Sequence, residues 1–347
     1  MKRVRIHKAG GWERLELEEA PDPDCGEDDV RVAVEAIGVN YADCIVRMGL
    51  YASAKDYVGW PITPGFEVAG RVDKVGSRVT TRAVGDRVIA LTRFDGYATS
   101  VAVPEHQTFA IPDDWSMDDA AGFAVVFLTA DYALFQLAHP RRGSTILVHS
   151  AAGGVGGALL QLSRAADLYA IGVVGRPEKV AAAKEWGAAH VIDKSSEDLW
   201  RAAERLAPKG YDVILDANGV STLAESYAHL RSTGRLVIYG FASMMRRGAG
   251  TPSWPKLAVD WLRTPRFNPL DLTNDNKSIM AFNLSYLFEE KELLAEAMQR
   301  LMQLVAEKKI RPPSTRAFDF ERVADAHRAL ESGTTTGKLV LRVSRPG

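Results

Sequence analysis

The segment from Thr145 to Leu160 has the pattern of a buried strand, a glycine-rich turn and a helix in succession. The mostly apolar residues Thr145–His149 suit a strand of a parallel sheet. Ser150–Gly157 then supplies small residues and glycines where the chain must turn sharply. In a dinucleotide-binding crossover, such a turn lets the backbone approach a pyrophosphate, and the following helix offers it unpaired N–H groups. The residues expected to contact the cofactor here are Ala152, Gly153, Gly154, Val155 and Gly156.

Strands alternate with helices from the middle of the chain onward. Further strands are predicted at 170–174, 190–192, 212–216 and 235–239, and helices begin near 177, 196 and 221. Helices of this length between strands imply a parallel, doubly wound sheet. Residues 1 to about 120 instead contain short strands with period-two alternation and turns rich in Gly, Pro and Asp. We therefore expect an α/β fold that combines a β-rich domain with a doubly wound parallel-sheet domain.

Residues 242–277 interrupt this alternation because they are rich in Pro, Arg and Trp. We expect a long loop there, of the kind that is functional, mobile or in contact with a partner, and a lineage-specific surface insertion is an equal alternative. Beyond it, Ile279–Leu287 has the pattern of one more strand, and Glu289–Lys308 has the spacing of a long amphipathic helix.

The composition excludes several classes of protein. With 43 Lys and Arg against 44 Asp and Glu, the net charge of -1 provides no general attraction to nucleic acid or to an anionic membrane. Two cysteines, Cys25 and Cys44, are too few for a disulfide framework or a four-cysteine zinc site. The longest apolar stretch, Ala120–Ala130, is shorter than the ~20 residues of a membrane helix. Because Met1–Ile6 also lacks the apolar core of a signal peptide, we expect a cytoplasmic protein without a membrane span.

The residues after the second predicted strand of the parallel sheet indicate which dinucleotide binds. A domain that prefers NAD ends this strand with Asp or Glu, which accepts hydrogen bonds from the ribose 2′-hydroxyl. Here Arg176 and Lys179 follow the second strand, and Lys194 follows the third. Cations attract a 2′-phosphate, and each charge-assisted hydrogen bond contributes about 1.5–3 kcal/mol. The pattern therefore predicts NADPH rather than NADH, and the alternative is that these three cations are solvated surface charges.

Several motifs in the chain resemble those of one known superfamily. They include Gly38-Val-Asn-Tyr-Ala-Asp, Pro64-Gly-Phe-Glu-Val-Ala-Gly, Val84-Gly-Asp-Arg-Val and Gly337-Lys-Leu-Val-Leu, besides the glycine turn. Over nearly the whole chain, this set resembles the medium-chain dehydrogenase/reductase superfamily, and within it the zinc-independent quinone oxidoreductase (zeta-crystallin-like) branch. The Trp- and Pro-rich insertion and Phe282-Asn-Leu-Ser-Tyr-Leu are most similar to the vesicle amine transport protein group of that branch.

The resemblance implies a particular architecture and assembly. Residues 1–123 and 291–347 would form a GroES-like domain that holds the substrate. Residues 124–290 would form a Rossmann domain that binds NADPH, with the insertion at about 242–277. The same resemblance implies a homodimer.

Two departures from the zinc-dependent branch of the superfamily concern the metal. That branch carries a Cys at the position of Asn40 and a His at the position of Phe66. An amide is a poor zinc ligand and a phenyl ring is none. The resemblance therefore implies a site without catalytic zinc, and Cys44 is expected to be a small buried hydrophobe.

The resemblance assigns Tyr51 and Asn40 to the nicotinamide site. Without zinc, alcohol oxidation lacks its alkoxide stabiliser, whereas an electrophilic acceptor needs mainly orientation, exclusion of water and one or two hydrogen bonds. Tyr51 is expected to donate its phenolic proton, directly or through water, and Asn40 to orient the carbonyl. The alternatives are a half-buried aromatic for Tyr51 and a backbone-capping role for Asn40. A second tyrosine common in the family aligns with Ile45 here.

Further residues are expected near the cofactor. Thr129 resembles a family threonine beside the nicotinamide ribose, although a threonine within a helix can also bond back to a carbonyl. Asn218, Gly240 and Phe241 follow predicted strands, at the edge of a parallel sheet where ligands bind.

Three functions remain open on the sequence alone. The leading hypothesis is an NADPH-dependent reductase that transfers hydride to a quinone or an α,β-unsaturated carbonyl. The second is an NADPH-binding scaffold or regulatory protein with little turnover, for which the insertion would be the partner contact. The third is an enoyl-thioester reductase, in which basic residues of the insertion would bind a CoA phosphate, namely Arg246, Arg247, Arg263 and Arg266.

Overall fold

The computed structural model describes residues 1–246 and 248–344, so Arg247 lies outside the described residues. The strands of this part are β1 (Lys2–Arg5), β2 (Glu16–Glu19), β3 (Asp29–Val39), β4 (Glu67–Val75), β5 (Arg87–Leu91), β6 (Ser100–Pro104), β7 (Thr108–Ala110), β8 (Thr145–Val148), β9 (Tyr169–Val174), β10 (His190–Asp193), β11 (Tyr211–Asp216), β12 (Leu230–Ile238), β13 (Ser278–Ala281), β14 (Thr315–Asp319) and β15 (Lys338–Arg342).

The α-helices are α1 (Tyr41–Arg47), α2 (Ala52–Tyr57), α3 (Met117–Ala121), α4 (Ala124–Asp131), α5 (Gly154–Ala165), α6 (Val180–Glu185), α7 (Leu199–Leu206), α8 (Leu223–Ala228), α9 (Trp254–Arg263), α10 (Pro269–Asp275), α11 (Lys291–Ala306) and α12 (Val323–Glu331). A π-helix covers Tyr132–Ala138, and 3-10 helices cover Trp12–Arg14, Glu105–Gln107, Pro177–Lys179, Ala242–Met244, Leu284–Glu289 and Phe320–Arg322.

The second half of the chain forms a six-stranded parallel sheet. Its strand order is β10-β9-β8-β11-β12-β13, and every neighbouring pair is parallel. The order reverses between β8 and β11, which is the topological switch point where a doubly wound sheet binds its ligand. The predicted doubly wound sheet is therefore confirmed, and the glycine turn after β8 opens at this switch point.

The first part of the chain forms a mixed sheet that the end of the chain completes. Its order is β14-β15-β3-β4-β5-β7, with β6 also paired to β3. β15 runs antiparallel to β3 with Leu339 opposite Val39. This register places Lys338 beside Asn40 at the end of β3, although the two residues lie far apart in sequence. The domain limits at 123/124 and 290/291 stay predictions.

A long apolar helical segment, Met117–Ala138, continues from α3 through α4 into the π-helix. By length and composition, its 22 residues could cross a membrane. The helical segment is longer than the uninterrupted apolar stretch Ala120–Ala130 in the sequence. Two thirds of its most apolar part are buried in the protein. Asp131 within it is buried and paired with Arg300 at 2.6 Å, so the segment has the environment of a core helix.

The expected loop at 242–277 is wrong, because most of this insertion is helical. It contains α9 and α10, and both helices have a proline in the first turn. Proline fits there since the first helical N–H groups have no partner within the helix, and its fixed φ suits the start of a helix. Asn268 caps α10 by accepting a hydrogen bond from the Leu270 N–H at 3.0 Å. Two of the prolines that suggested a loop, Pro255 and Pro269, therefore lie in the first turns of helices.

Candidate active site

A cavity of about 1000 Å³ lies between the two sheets, at the carboxyl ends of β8, β11 and β12. All of the site residues predicted from the sequence line this cavity. They are Asn40, Tyr51, Thr129, Ala152, Gly153, Gly154, Val155, Gly156, Arg176, Lys179, Lys194, Asn218, Gly240 and Phe241. The structure thus brings them together in space, while their individual roles stay predictions.

The glycines of the turn after β8 differ in what surrounds them. A Cβ added at Gly156 would lie 2.3 Å from the Ser150 carbonyl oxygen and 2.7 Å from the Ala151 Cα, so packing of the turn excludes any side chain there. A Cβ added at Gly153 would meet only the Ser150 oxygen, at 3.3 Å. Gly156 therefore serves the fold, whereas Gly153 leaves space on the side of the cavity at the N-terminus of α5.

The cations predicted to bind a 2′-phosphate gather at one end of the cavity. Arg176 is exposed directly after β9, and Lys194 is exposed directly after β10. The Lys179 ammonium donates a hydrogen bond to the Gly333 carbonyl at 2.8 Å, which ties the Rossmann-like unit to the segment after α12. Because adjacent parallel strands end at the same sheet edge, the positive charges at the ends of β9 and β10 face one region of the cavity.

Asn40, Glu67 and Lys338 form a buried polar cluster, of which Asn40 and Lys338 line the cavity. The Lys338 ammonium donates to the Glu67 carboxylate at 2.6 Å and to Asn40 Oδ1 at 2.5 Å. Asn40 Nδ2 donates to Glu67 at 3.1 Å, and the second carboxylate oxygen of Glu67 accepts from the Val125 N–H at 2.8 Å. Both polar ends of the Asn40 side chain are thus occupied by protein groups, while its backbone N–H donates to Asp43 at 2.7 Å.

The phenol of Tyr51 also has a protein partner. Its hydroxyl donates to Asn283 Oδ1 at 2.7 Å, and its ring packs edge-on against Phe66 and Phe94. Burial raises the pKa of the Tyr51 phenol. Tyr51 is half-buried, as the alternative interpretation expected, and it also lines the cavity.

The remaining predicted residues surround the middle of the cavity. The Thr129 hydroxyl donates to the Val125 carbonyl one turn earlier at 2.7 Å, which is the alternative considered from the sequence. Asn218 accepts a hydrogen bond from the Ser150 hydroxyl at 3.0 Å and so joins the turns after β8 and β11. Phe241 is 46% exposed, which leaves much of its ring open at the mouth of the cavity.

A second polar cluster is buried behind Asn40. The ligand atoms of Cys44, His327 and Glu331 lie within 4.8 Å of one another. The Arg47 guanidinium, fully buried, donates to Glu331 at 2.7 Å and lies 3.4 Å from His327 Nδ1. A permanent cation therefore already occupies this cluster and neutralises its carboxylate.

The protonation of this second cluster follows from its hydrogen bonds. Arginine can only donate, so His327 Nδ1 is an acceptor and the ring proton lies on Nε2, 3.1 Å from the Tyr97 hydroxyl. Tyr97 in turn donates to Asp43 at 3.0 Å. Burial, followed by the charge of Arg47, lowers the pKa of His327 to about 3. Burial raises the pKa of Asp43 to about 7, against the hydrogen bonds and the Lys338 charge, which lower it.

Comparison with known proteins places this arrangement in a family. Residues 26–113 match the family described as alcohol dehydrogenase GroES-like domain, and residues 186–341 match that described as zinc-binding dehydrogenase. The human synaptic vesicle membrane protein VAT-1 homolog is 34% identical over 339 residues, covering 96% of this chain and 84% of that protein. The chain belongs to the medium-chain dehydrogenase/reductase superfamily. The resemblance stated from its motifs is thereby confirmed.

The chain is also similar to quinone oxidoreductases, both in sequence and in structure. A quinone oxidoreductase of Pseudomonas aeruginosa is 32% identical over 342 residues, covering 98% of this chain and 99% of that one. The crystal structure of Escherichia coli quinone oxidoreductase complexed with NADPH has a TM-score of 0.85 and 28% identity, covering 99% of this chain and 100% of that chain. The GroES-like unit and the Rossmann-like sheet of this chain are therefore those of the superfamily.

The sequence did not reveal the roles of three residues at or beside the cavity, namely Glu67, Asn283 and Lys338. Glu67 and Lys338 stand within motifs quoted for the resemblance, and so does Asn283, but none of them received a role. Spacing along the chain gave no signal, because the partners Asn40 and Lys338, or Tyr51 and Asn283, are brought together only by the tertiary structure. A lysine and a glutamate among apolar strand residues were the available signal, since buried charges occur almost always as pairs.

Proposed function

We propose that this protein is a zinc-independent, NADPH-dependent reductase that transfers hydride to a quinone or an α,β-unsaturated carbonyl. The observation that carries the proposal is the single cavity that joins the glycine turn, three cations and a mostly apolar chamber beside Tyr51. Relatives named quinone oxidoreductase, one of them solved with NADPH, support an oxidoreductase and support the prediction of NADPH.

The residues present fit a dinucleotide phosphate along the length of the cavity. The open side of Gly153 and the N-terminus of α5 suit the pyrophosphate. Arg176, Lys179 and Lys194 suit the 2′-phosphate, and Thr129 and Asn40 line the wall where the nicotinamide would lie. When bound, the reduced nicotinamide supplies the hydride, so the protein has to position the acceptor, exclude water and stabilise the charge that develops.

The chamber beside Tyr51 suits an uncharged acceptor. Most side chains of its walls are apolar, among them Ile45, Leu50, Phe66, Leu284 and Phe288. An apolar wall favours a quinone or an enone because such an acceptor loses little hydration on entry. Hydride addition to either acceptor places negative charge on a carbonyl oxygen, which a few hydrogen-bond donors stabilise strongly in a site that excludes water.

The residues at the two positions of the zinc ligands support chemistry without zinc. Asn40 Oδ1 accepts a hydrogen bond from the Lys338 ammonium, and Phe66 offers no donor atom. A zinc ion at this place would face the positive charge of Lys338 at close range. In the buried cluster behind it, Arg47 provides the cation that Glu331 requires. Both observations support a reductase that polarises its acceptor through hydrogen bonds alone.

The decisive experiment measures loss of nicotinamide absorbance with phenanthrenequinone, p-benzoquinone and a simple enone, using NADPH and NADH in parallel. Turnover with preference for NADPH supports the reductase. Crotonyl-CoA is tested as a fourth substrate. If the protein reduces it and none of the other three acceptors, the substrate is an enoyl thioester instead. NADPH binding without turnover of any acceptor favours a scaffold protein, whose partner a variant lacking residues 242–277 would no longer capture.

We further propose that the protein is a homodimer and acts in the cytoplasm. Within the described residues, β13 is an edge strand of the parallel sheet and pairs only with β12. An unpaired edge offers a row of backbone donors and acceptors to a second copy. Light scattering after gel filtration measures the mass of the assembly, and a monomer at all concentrations would refute the dimer.

A further inference from the structure

The amide of Asn283 is held at the cavity wall by a set of hydrogen bonds on its oxygen. Asn283 caps the 3-10 helix Leu284–Glu289, and its Oδ1 accepts from the Ser285 N–H at 3.0 Å. The same oxygen accepts from the Ser285 hydroxyl at 2.8 Å and from the Tyr51 hydroxyl at 2.7 Å. The Ser285 hydroxyl also lies 2.7 Å from the Ser53 hydroxyl on α2. The cap thus joins the two units of the protein beside the acceptor chamber.

These contacts fix which end of the amide is oxygen. A backbone N–H can only donate, so the atom that faces the Ser285 N–H must be the carbonyl oxygen. It follows that the proton of Tyr51 points to Asn283 rather than to the chamber. The amino group of Asn283 has no hydrogen-bond partner among the residues that the structure describes, and Asn283 lines the cavity.

We propose that the amino group of Asn283 is the hydrogen-bond donor to the carbonyl oxygen of the acceptor, and that Tyr51 is a positioning residue which holds this amide. The inference rests on the proposed reductase function and changes the role expected for Tyr51. Asn40 is less suited to this role, since both polar ends of its side chain are engaged by Glu67 and Lys338.

The chemistry suits an amide donor. Adding hydride to the β-carbon of an enone forms a C–H bond, and the electrons of the C=C bond move to leave an enolate whose charge lies on oxygen. The Asn283 N–H stabilises that oxygen and keeps its proton, so the proton that completes the reaction at the α-carbon comes from water. For a quinone, the corresponding product is the hydroquinone anion, which water then protonates. Preorganised donors of this kind contribute about 10²–10³ in rate.

The variants that test this proposal keep the cap intact. Asn283→Asp preserves an oxygen that accepts from Ser285 and Tyr51, and Asp is a favoured cap residue, so the chain folds while the amino group is lost. Asn283→Ala removes the donor without adding a charge. Asn268→Asp is the matched control, because Asn268 caps α10 in the same way and does not line the cavity. Tyr51→Phe removes the phenol hydroxyl and leaves Asn283 held by Ser285.

Two measurements are made on each variant. The first is kcat with the best acceptor. The second is binding of the oxyanion 4-nitrophenolate to the protein saturated with NADP⁺, which carries no hydride to transfer. We expect both Asn283 variants to lose at least about tenfold in kcat and in phenolate affinity, Tyr51→Phe to lose about threefold or less, and Asn268→Asp to match the wild type.

A larger loss of kcat in Tyr51→Phe than in the Asn283 variants would overturn the proposal. So would an Asn283→Ala protein that binds phenolate as tightly as the wild type does. Failure of the wild type to bind phenolate would also count against a donor in the chamber. Failure of the proposed reductase function is distinguishable, since it would leave every acceptor unreduced while the phenolate titration still orders the variants.

Discussion

The Lys338 ammonium lies 2.6 Å from the Glu67 carboxylate at a place where both side chains are almost fully buried. This pair joins the last strand of the chain, β15, to the start of β4 and holds Asn40 between them. Desolvating two charges costs several kcal/mol each, and only close pairing with further hydrogen bonds offsets that cost. The contact therefore fixes the position of Asn40 at the cavity wall more than it adds net stability.

Removing one partner of this pair should be far more harmful than removing both. Lys338→Met leaves the Glu67 carboxylate buried without its cation, and we expect a loss of about 3–5 kcal/mol in the free energy of unfolding. The double variant Glu67→Gln/Lys338→Met removes both charges and should recover part of this loss. Urea unfolding of the single and double variants measures the coupling, and strictly additive losses would contradict it.

Arg176→Ala should weaken NADPH binding while leaving NADH binding almost unchanged. The guanidinium is exposed at the end of β9, where a 2′-phosphate would lie, and its loss should raise the Kd for NADPH about tenfold. Arg263→Ala is the control, since Arg263 is also an exposed arginine but does not line the cavity. Equal effects of Arg176→Ala on both cofactors in fluorescence titrations would show that the charge does not recognise the phosphate.

The two glycines of the turn should respond differently to a methyl group. In Gly153→Ala, the backbone (φ -84°, ψ 174°) suits alanine, so stability should change by less than about 1 kcal/mol, while the methyl group weakens NADPH binding. In Gly156→Ala, the methyl group clashes with the Ser150 oxygen, and the protein should lose about 2–3 kcal/mol. Thermal unfolding and cofactor titration of both variants separate the effects. A Gly153→Ala protein with wild-type NADPH affinity would place the pyrophosphate elsewhere.

His327→Gln should destabilise the protein more at pH 6.5 than at pH 4.5. His327 has a pKa of about 3 in the folded state against 6.5 for an ordinary histidine, so below pH 6.5 only the unfolded chain takes up its proton. The stability that this neutral histidine contributes is therefore full above pH 6.5 and falls by about 1.4 kcal/mol per pH unit as the pH drops toward 3. Glutamine lacks this titration. The wild type should therefore gain about 2–3 kcal/mol in unfolding free energy relative to His327→Gln as the pH rises from 4.5 to 6.5.

Asp43 has the opposite effect, which is why the wild type alone is uninformative. Its pKa of about 7 lies above the ordinary value of 3.8, so its contribution is full below pH 3.8 and is lost as the pH rises toward 7. Between pH 4.5 and 6.5 the two contributions nearly cancel in the wild type. Urea titrations of both proteins at the two pH values measure the difference, and a difference that is independent of pH would refute a neutral buried His327.

Local sequence patterns predicted the fold well where residues close together in the chain determine the structure of an element. The strand at Thr145 and the helix after the glycine turn were found because apolar periodicity and glycine punctuation act within a few residues. The insertion at 242–277 was misjudged, since a proline that begins a helix and a proline that interrupts one look alike without the cap that precedes it. All predicted cofactor residues line one cavity. Apart from Thr129, which lies in α4, they follow strands of a single parallel sheet, whose carboxyl ends meet at one edge.

The sequence by itself determined the alternation of strands and helices in the parallel sheet, the glycine turn after β8 and the cations placed after β9 and β10. Only the tertiary structure decided which polar groups around Asn40 and Tyr51 already have hydrogen-bond partners. Lys338 reaches Asn40 through the register of β15 on β3, and Asn283 accepts the hydrogen bond of the Tyr51 hydroxyl from a distant part of the chain. A hydrogen bond tolerates only a few tenths of an ångström in the distance between donor and acceptor, and for groups far apart in the chain this distance is set by tertiary packing.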